Sequence, residues 1–149
     1  MVKVTGLKNA SSTGTWVPVD GFTVGSVTTQ ESSVSVKFGT WVGQSNPNAS
    51  GGTYRINGTA GAQVTFSFTG TGIDWVTATG PAYGQAQVTI DGVSKGTVDL
   101  YQAASEWKVL QSYTGLSPGA HTIVVKVLGT KNASSTGTGV VADAFVVHP

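Results

Sequence analysis

The sequence predicts an all-β protein, a two-sheet antiparallel β-sandwich of jelly-roll type. Three observations predict it. Apolar and polar residues alternate with period two along most of the chain, and no stretch keeps an i, i+3, i+4 apolar stripe over three turns. Turn residues, with 21 glycines at their head, interrupt the alternating runs at short intervals. Cysteine is absent, so the fold rests on a packed core and not on disulfides or thiolate metal sites.

A repeat frames the chain. Residues 2–24 read VKVTGLKNASSTGTWVPVDGFTV and residues 125–147 read VKVLGTKNASSTGTGVVADAFVV, identical at 16 of 23 positions with no gap. Self-similarity of this kind marks tandem architecture. The expected organisation is a segment at 1–24, the closing strand of a preceding unit or an added strand, followed by a single β-sandwich module at 25–149.

The elements follow in order. Val34, Val36 and Phe38 alternate with Ser33, Ser35 and Lys37 as a half-buried strand, and residues 42–52 read as a loop. Tyr54-Arg55-Ile56 is a short strand ended by Asn57-Gly58. Val64, Phe66 and Phe68 share a face, and Thr69-Gly70-Thr71-Gly72 reads as a tight turn into Ile73–Ala78. The loop 79–84 presents Tyr83; Ala86, Val88 and Ile90 then alternate up to the hairpin signal Asp91-Gly92. Val98 and Leu100 bury on the return strand. After the loop 102–106 come Trp107–Tyr113, a turn at Ser117-Pro118-Gly119, and the core face Ile123, Val125, Val127. A last loop, 129–137, leads to the closing strand with Val141, Phe145 and Val147 on the side of Asp143. Antiparallel order then places the connections 69–72, 91–94 and 114–120 at one end of the sandwich. The connections 57–62, 79–84, 101–106 and 129–137 fall at the other, where binding loops belong.

Composition narrows the function. Charged residues make up only 10% of the chain and the formal net charge is +1, with no basic stripe to hold a phosphate backbone, so nucleic acid is not an expected partner. No apolar run is long enough for a membrane-spanning helix, so no membrane role is expected. The inventory for catalysis is thin. Asp74 and Asp91 read as structural residues near turns, Asp99 and Glu106 flank one loop, and His121 reads as a solvent-facing residue after a turn. No enzyme is expected.

From Phe66 to Val147 the chain resembles a bacterial galactose-binding-domain-like jelly roll, the fold of many carbohydrate-binding modules. FSFTGTGIDW, GPAYGQAQVTIDG, GLSPGAHTIVVKV and GTKNASSTG followed by VADAFVV carry the likeness, and Gly39–Arg55 extends it. The resemblance implies a non-catalytic, secreted or cell-surface module that binds a polysaccharide or oligosaccharide. It also implies a structural calcium between the first and last strands, held by Glu31 and Asp143. The usual doubled acidic motif is here only Gln30-Glu31, and calcium takes about six to eight oxygens. The alternative for Asp143 is hydrogen bonding to backbone amides of the 129–137 loop.

Sugar recognition asks for a flat aromatic and for amides or hydroxyls. The candidates on the long-loop rim are Tyr83, Gln85, Tyr101, Gln102, Lys131 and Asn132. Trp107 suits either the core or a binding platform, whereas Trp41 and Trp75 read as core. Trp16 is replaced by Gly139 in the second copy, which points to a contact with a neighbouring module. The rival function is a structural or adhesive repeat, with the duplicated segment exchanged between molecules to form oligomers.

Overall fold

The computed structural model describes residues 25–149; the segment 1–24, and with it Trp16, lies outside the described residues. Ten strands follow one another: β1 (Val27–Gln30), β2 (Val36–Phe38), β3 (Val42–Ser45), β4 (Thr53–Asn57), β5 (Gln63–Thr79), β6 (Gln85–Ile90), β7 (Val93–Asp99), β8 (Glu106–Val127), β9 (Val140–Ala142) and β10 (Ala144–His148). They form two antiparallel sheets. The larger has seven strands in the order β1-β10-β5-β8-β6-β7, with β2 also on β5, and the smaller is β3-β4-β9. The fold is an all-β sandwich, as the alternation predicts.

The two long strands β5 and β8 form a ribbon that folds over on itself. The turns expected at 69–72 and 114–120 do not end strands; they are corners of this ribbon. Pairing runs from Gln63↔Lys126 to Gly70↔Gly119, slips, and resumes from Gly72↔Thr114 to Thr79↔Glu106. A straight strand rising roughly 3.3 Å per residue would separate Phe66 from Trp75 by about 30 Å. Yet Phe145, the cross-strand partner of Trp75, stacks on Phe66 with ring centroids 5.1 Å apart. The two halves of the ribbon therefore face each other across the core. Gly70 lets the corner close: a Cβ there would run into the carbonyl oxygen of His148.

His121 secures the same corner. The sequence suggests a solvent-facing histidine, but its side chain is buried, packed beside the Phe68 ring at 5.5 Å and held by the Ser117 carbonyl. Nε2 donates to the Ser117 carbonyl at 2.7 Å and Nδ1 meets Asp91 Oδ2 at 2.6 Å. The hydrogen bond to Asp91, then that to Ser117, raises the His121 pKa above its ordinary value. Asp91 also accepts the Thr122 N–H, so its role at the turn is structural. Asp74 lies within β5, not at a turn, and pairs with His148 Nε2 at 2.9 Å.

The core lies between the folded halves. Trp75, Ile73, Phe145, Val88, Ile90, Val125 and Leu100 are all but inaccessible, and Trp41 is 5% exposed, so both expected core tryptophans are in the core. Burying each large apolar side chain contributes about 1.5–3 kcal/mol. Residues 42–52 depart from expectation, since they contain β3 and a one-turn 3-10 helix at Ser50–Gly52. Gly43, Gln44 and Ser45 lack strand propensity, and β3 forms because β4 supplies its hydrogen bonds. The preceding alternation is also shorter than it reads: Val34 is 88% exposed, outside β2.

Candidate functional site

The small sheet positions the first part of the site. Val42 lies opposite Ile56 and Gln44 opposite Tyr54, so these four side chains share one face of β3 and β4. Arg55 alternates to the other face and stacks over the Phe38 ring at 4.9 Å. Tyr54 meets Trp107 of β8 edge-on, with ring centroids 4.8 Å apart and planes at 67°. Both rings are half-buried, which leaves apolar surface available beside the contact. A bulge in β8 shapes this spot: pairing shifts between Thr77 and Ala78, and Lys108, next to Trp107, carries a φ of 59°. Strain of this kind in a non-glycine residue collects at functional sites.

Tyr83 borders the same face. It bridges to Gly139, just before β9, and packs partly on the core. Burial pushes its hydroxyl pKa up, and the nearby Tyr54 adds to this. The loop 131–138 holds Tyr83 in place. Ser135 Oγ, buried, donates to the Tyr83 carbonyl at 2.7 Å, Thr136 N–H donates to Pro81 O at 2.8 Å, and Gly84 N–H donates to Gly139 O at 2.8 Å. The backbones approach so closely that a Cβ on Gly84 would lie 2.6 Å from Thr138. The duplicated run KNASSTGT is thus the clamp of the rim.

The remaining predicted residues separate into two groups. Gln85, Asp99 and Asn132 form a network: Asn132 Nδ2 donates to Asp99 Oδ2 at 3.0 Å, Gln85 Nε2 reaches the same oxygen at 3.4 Å, and Gln85 Oε1 accepts from Thr130 at 2.8 Å. Burial alone would raise the Asp99 carboxyl; the hydrogen bonds from Tyr101 N–H, Asn132 and Gln85 outweigh it and hold the pKa below the ordinary value. Lys131 Nζ is spent on the Ser135 carbonyl at 2.7 Å. These amides and this ammonium are engaged in closing the loop. Tyr101 bridges Gly80 and is half-buried, while Gln102 is exposed.

Near the start of β4, beside Tyr54, two acids come together. β9 pairs with β4 and β10 with β5, so the chain changes sheets at Asp143, whose side chain is fully buried. Its two oxygens accept the Ser50 N–H at 3.0 and 2.9 Å, so the amide it binds is not in the 129–137 loop. Glu31 is 4% exposed and donates its N–H to Asp143 O at 3.2 Å. Glu31 Oε1 accepts from Thr53 at 2.7 Å, but Glu31 Oε2 and Gln30 Oε1 are buried without a partner among the described residues. Burial pushes the Asp143 pKa up, against the Ser50 N–H; Glu31 adds to the rise, and the pKa reaches about 6. Two buried acids and two unsatisfied oxygens are a donor set that suits a hard cation. No group of three or more His, Cys, Asp or Glu side chains converges among the described residues.

Chemically, the aromatic face can stack and exclude water. It offers no nucleophile with a base beside it. Tyr54, Ile56, Val42 and Gln44 escape the sequence reading. Trp107 is the signal that could have found Tyr54, but the two are 53 residues apart in the chain.

No family model matches the chain. Two curated proteins of Flavonifractor plautii are similar over part of it. One, an A type blood N-acetyl-alpha-D-galactosamine deacetylase, is 39% identical over 57% of this chain and 11% of its own length. The other, an A type blood alpha-D-galactosamine galactosaminidase, is 38% identical over 58% of this chain and 8% of its own. The chain thus spans about a tenth of the length of these relatives. Among solved structures, a Paenibacillus xanthan lyase matches with a TM-score of 0.55 and 27% identity, over 76% of this chain and 12% of that one. A family 35 carbohydrate binding module from Clostridium thermocellum matches with a TM-score of 0.53 and 15% identity, over 81% of this chain and 98% of that one. The chain shares its β-jelly-roll fold with these structures.

Proposed function

We propose that the chain is a non-catalytic carbohydrate-binding module of a secreted or surface polysaccharide-active protein. The exposed face around Tyr54 and Trp107, bordered by Tyr83, is the observation that carries this reading. Half-buried aromatic rings offer a flat apolar surface for a pyranose and polar tips for its hydroxyls. The names of the two curated relatives support a proposal for the glycan. Their names describe different reactions, and the segment each shares with this chain is a small part of its length. What the names have in common is an A type glycan bearing α-linked galactosamine or its N-acetyl form. A glycan ending in that sugar is therefore the proposed ligand.

A direct titration of the A-type trisaccharide, its deacetylated form and the same glycan without the amino sugar tests this. Saturable binding to the first two, with a Kd between about 10 μM and 1 mM, is expected, with all three sugars recovered unchanged. No binding to any, or turnover of any, sinks the reading.

The acidic pair is proposed to hold a structural calcium. Glu31, Asp143 and the Gln30 side-chain oxygen would be its ligands, together with backbone carbonyls. The ion would neutralise two buried carboxylates and tie β1 to the point where the chain passes from β9 to β10.

The duplication favours a second reading, a self-associating repeat. The slot that the second copy fills buries Val140 to Phe145, and the first copy keeps Val17, Asp20 and Phe22 at the matching positions of Val140, Asp143 and Phe145. Exchange of that segment between molecules would give a dimer. Light scattering on the full chain and on a chain starting at Gly25 separates the two: exchange predicts a dimer only in the former, and monomers in both contradict it.

A further inference from the structure

The two copies of the repeat agree at every position across Lys8–Thr15 and Lys131–Thr138, then part at the next residue, Trp16 in one and Gly139 in the other. In the described module the identical run is the clamp that fixes Tyr83, and Gly139 is the first residue past it, bridged to Tyr83. The backbone of Gly139 is not in the left-handed region, so conformation does not demand a glycine there. What the glycine supplies is space. A Cβ at this position would lie 3.1 Å from Cδ1 of Ile56 and 3.6 Å from Cδ1 of Tyr83. Gly139 also lines a groove of about 490 Å³ with Val42, Gln44, Ile56 and Asn57, so a side chain here either displaces Ile56 or enters that groove. That volume falls within the roughly 300–1,000 Å³ of small-molecule sites. Ile56 shares its strand and face with Tyr54, so the groove opens beside the aromatic pair.

We propose that position 139 determines which glycan a module of this repeat accepts. With glycine, the groove beside Ile56 stays open, and the substituted amino group of a terminal amino sugar enters it while the ring rests on Tyr54 and Trp107. With tryptophan, as in the other copy, the indole fills the groove. The face becomes a flat platform that favours unsubstituted pyranose chains. This inference rests on the glycan-binding reading above and deepens it.

Titration calorimetry with the A-type trisaccharide and with the glycan lacking its amino sugar, on the full chain and on Gly139→Ala and Gly139→Trp, tests it. The alanine variant is expected to lose less affinity for the trisaccharide than the tryptophan variant. The tryptophan variant is expected to lose at least tenfold for the trisaccharide and to gain binding to the glycan without the amino sugar. Melting curves establish that each variant is folded. If Gly139→Trp melts early, Gly139→Val narrows the same groove with a smaller side chain and is expected to lose about tenfold. A folded tryptophan or valine variant that binds the trisaccharide as tightly as the unsubstituted chain overturns the inference. Absence of binding by the unsubstituted chain instead removes the glycan-binding reading, and the inference with it.

Discussion

Saturating calcium at pH 7.5 is expected to raise the melting temperature of the chain by roughly 10 °C, and the effect is expected to fade below pH 6. A ligand at one hundred times its Kd stabilises the folded state by about 2.7 kcal/mol, and each kcal/mol moves the midpoint of a domain this size by about 3–5 °C. The pH dependence follows from Asp143. Its folded pKa is raised from 3.8 to about 6, because burial and then Glu31 outweigh the Ser50 N–H and the Lys108 ammonium. In the metal-free chain the stability gained by protonating it is complete below 3.8 and is lost as pH rises through about 6. Calcium competes with that proton. Its stabilisation is therefore complete above pH 6 and declines as pH falls through it. Asp143→Asn keeps the shape and an acceptor for the Ser50 N–H, and is expected to melt independently of calcium. Melting curves with calcium and with chelator at pH 5 and 7.5 check all of this. A calcium response that survives in the asparagine variant contradicts the proposed site.

Replacing Tyr54 or Trp107 by alanine is expected to weaken glycan binding at least tenfold, which is about 1.4 kcal/mol. The two rings are in contact, so removing either also releases the other. Their effects are expected to be less than additive in the double variant. Tyr54→Phe keeps the flat surface and is expected to remain within threefold. Both residues are half-buried on an outer face, away from the Trp75 and Phe145 core, so the melting temperature is expected to shift by only a few degrees. Calorimetry with the A-type trisaccharide checks the series. Full affinity in the Trp107→Ala variant would move the site elsewhere on the rim.

Much of the architecture was legible because alternation is a local signal. β6, the Asp91-Gly92 hairpin and the core face of Ile123, Val125 and Val127 read directly from period two. Propensity misled at the corners. Thr69–Gly72 and Ser117–Gly119 carry turn residues, but the chain uses them to fold a continuous ribbon, a decision made by Phe66 finding Phe145 across the core. β3 was hidden for the opposite reason, since Gly43-Gln44-Ser45 becomes a strand only beside β4. The site divides in the same way. Tyr83 and Trp107 stand out as aromatics near long loops, whereas Tyr54 is significant only through a partner that tertiary folding brings to it. Gln85, Lys131 and Asn132 looked equally suited to a sugar, but their side chains are engaged within the loop network. Composition cannot tell a free amide from a satisfied one.

The indole N–H signals of the four tryptophans offer the most direct test of the central claim, that glycan binds over Tyr54 and Trp107. Trp75 is buried, with its N–H donated to the Val141 carbonyl at 3.1 Å, and serves as an internal reference. On titrating the A-type trisaccharide into the 15N-labelled chain, the Trp107 indole resonance is expected to shift progressively and saturate while that of Trp75 stays in place. A saturable interaction that leaves Trp107 unmoved, or no change in any resonance at millimolar sugar, would contradict the account.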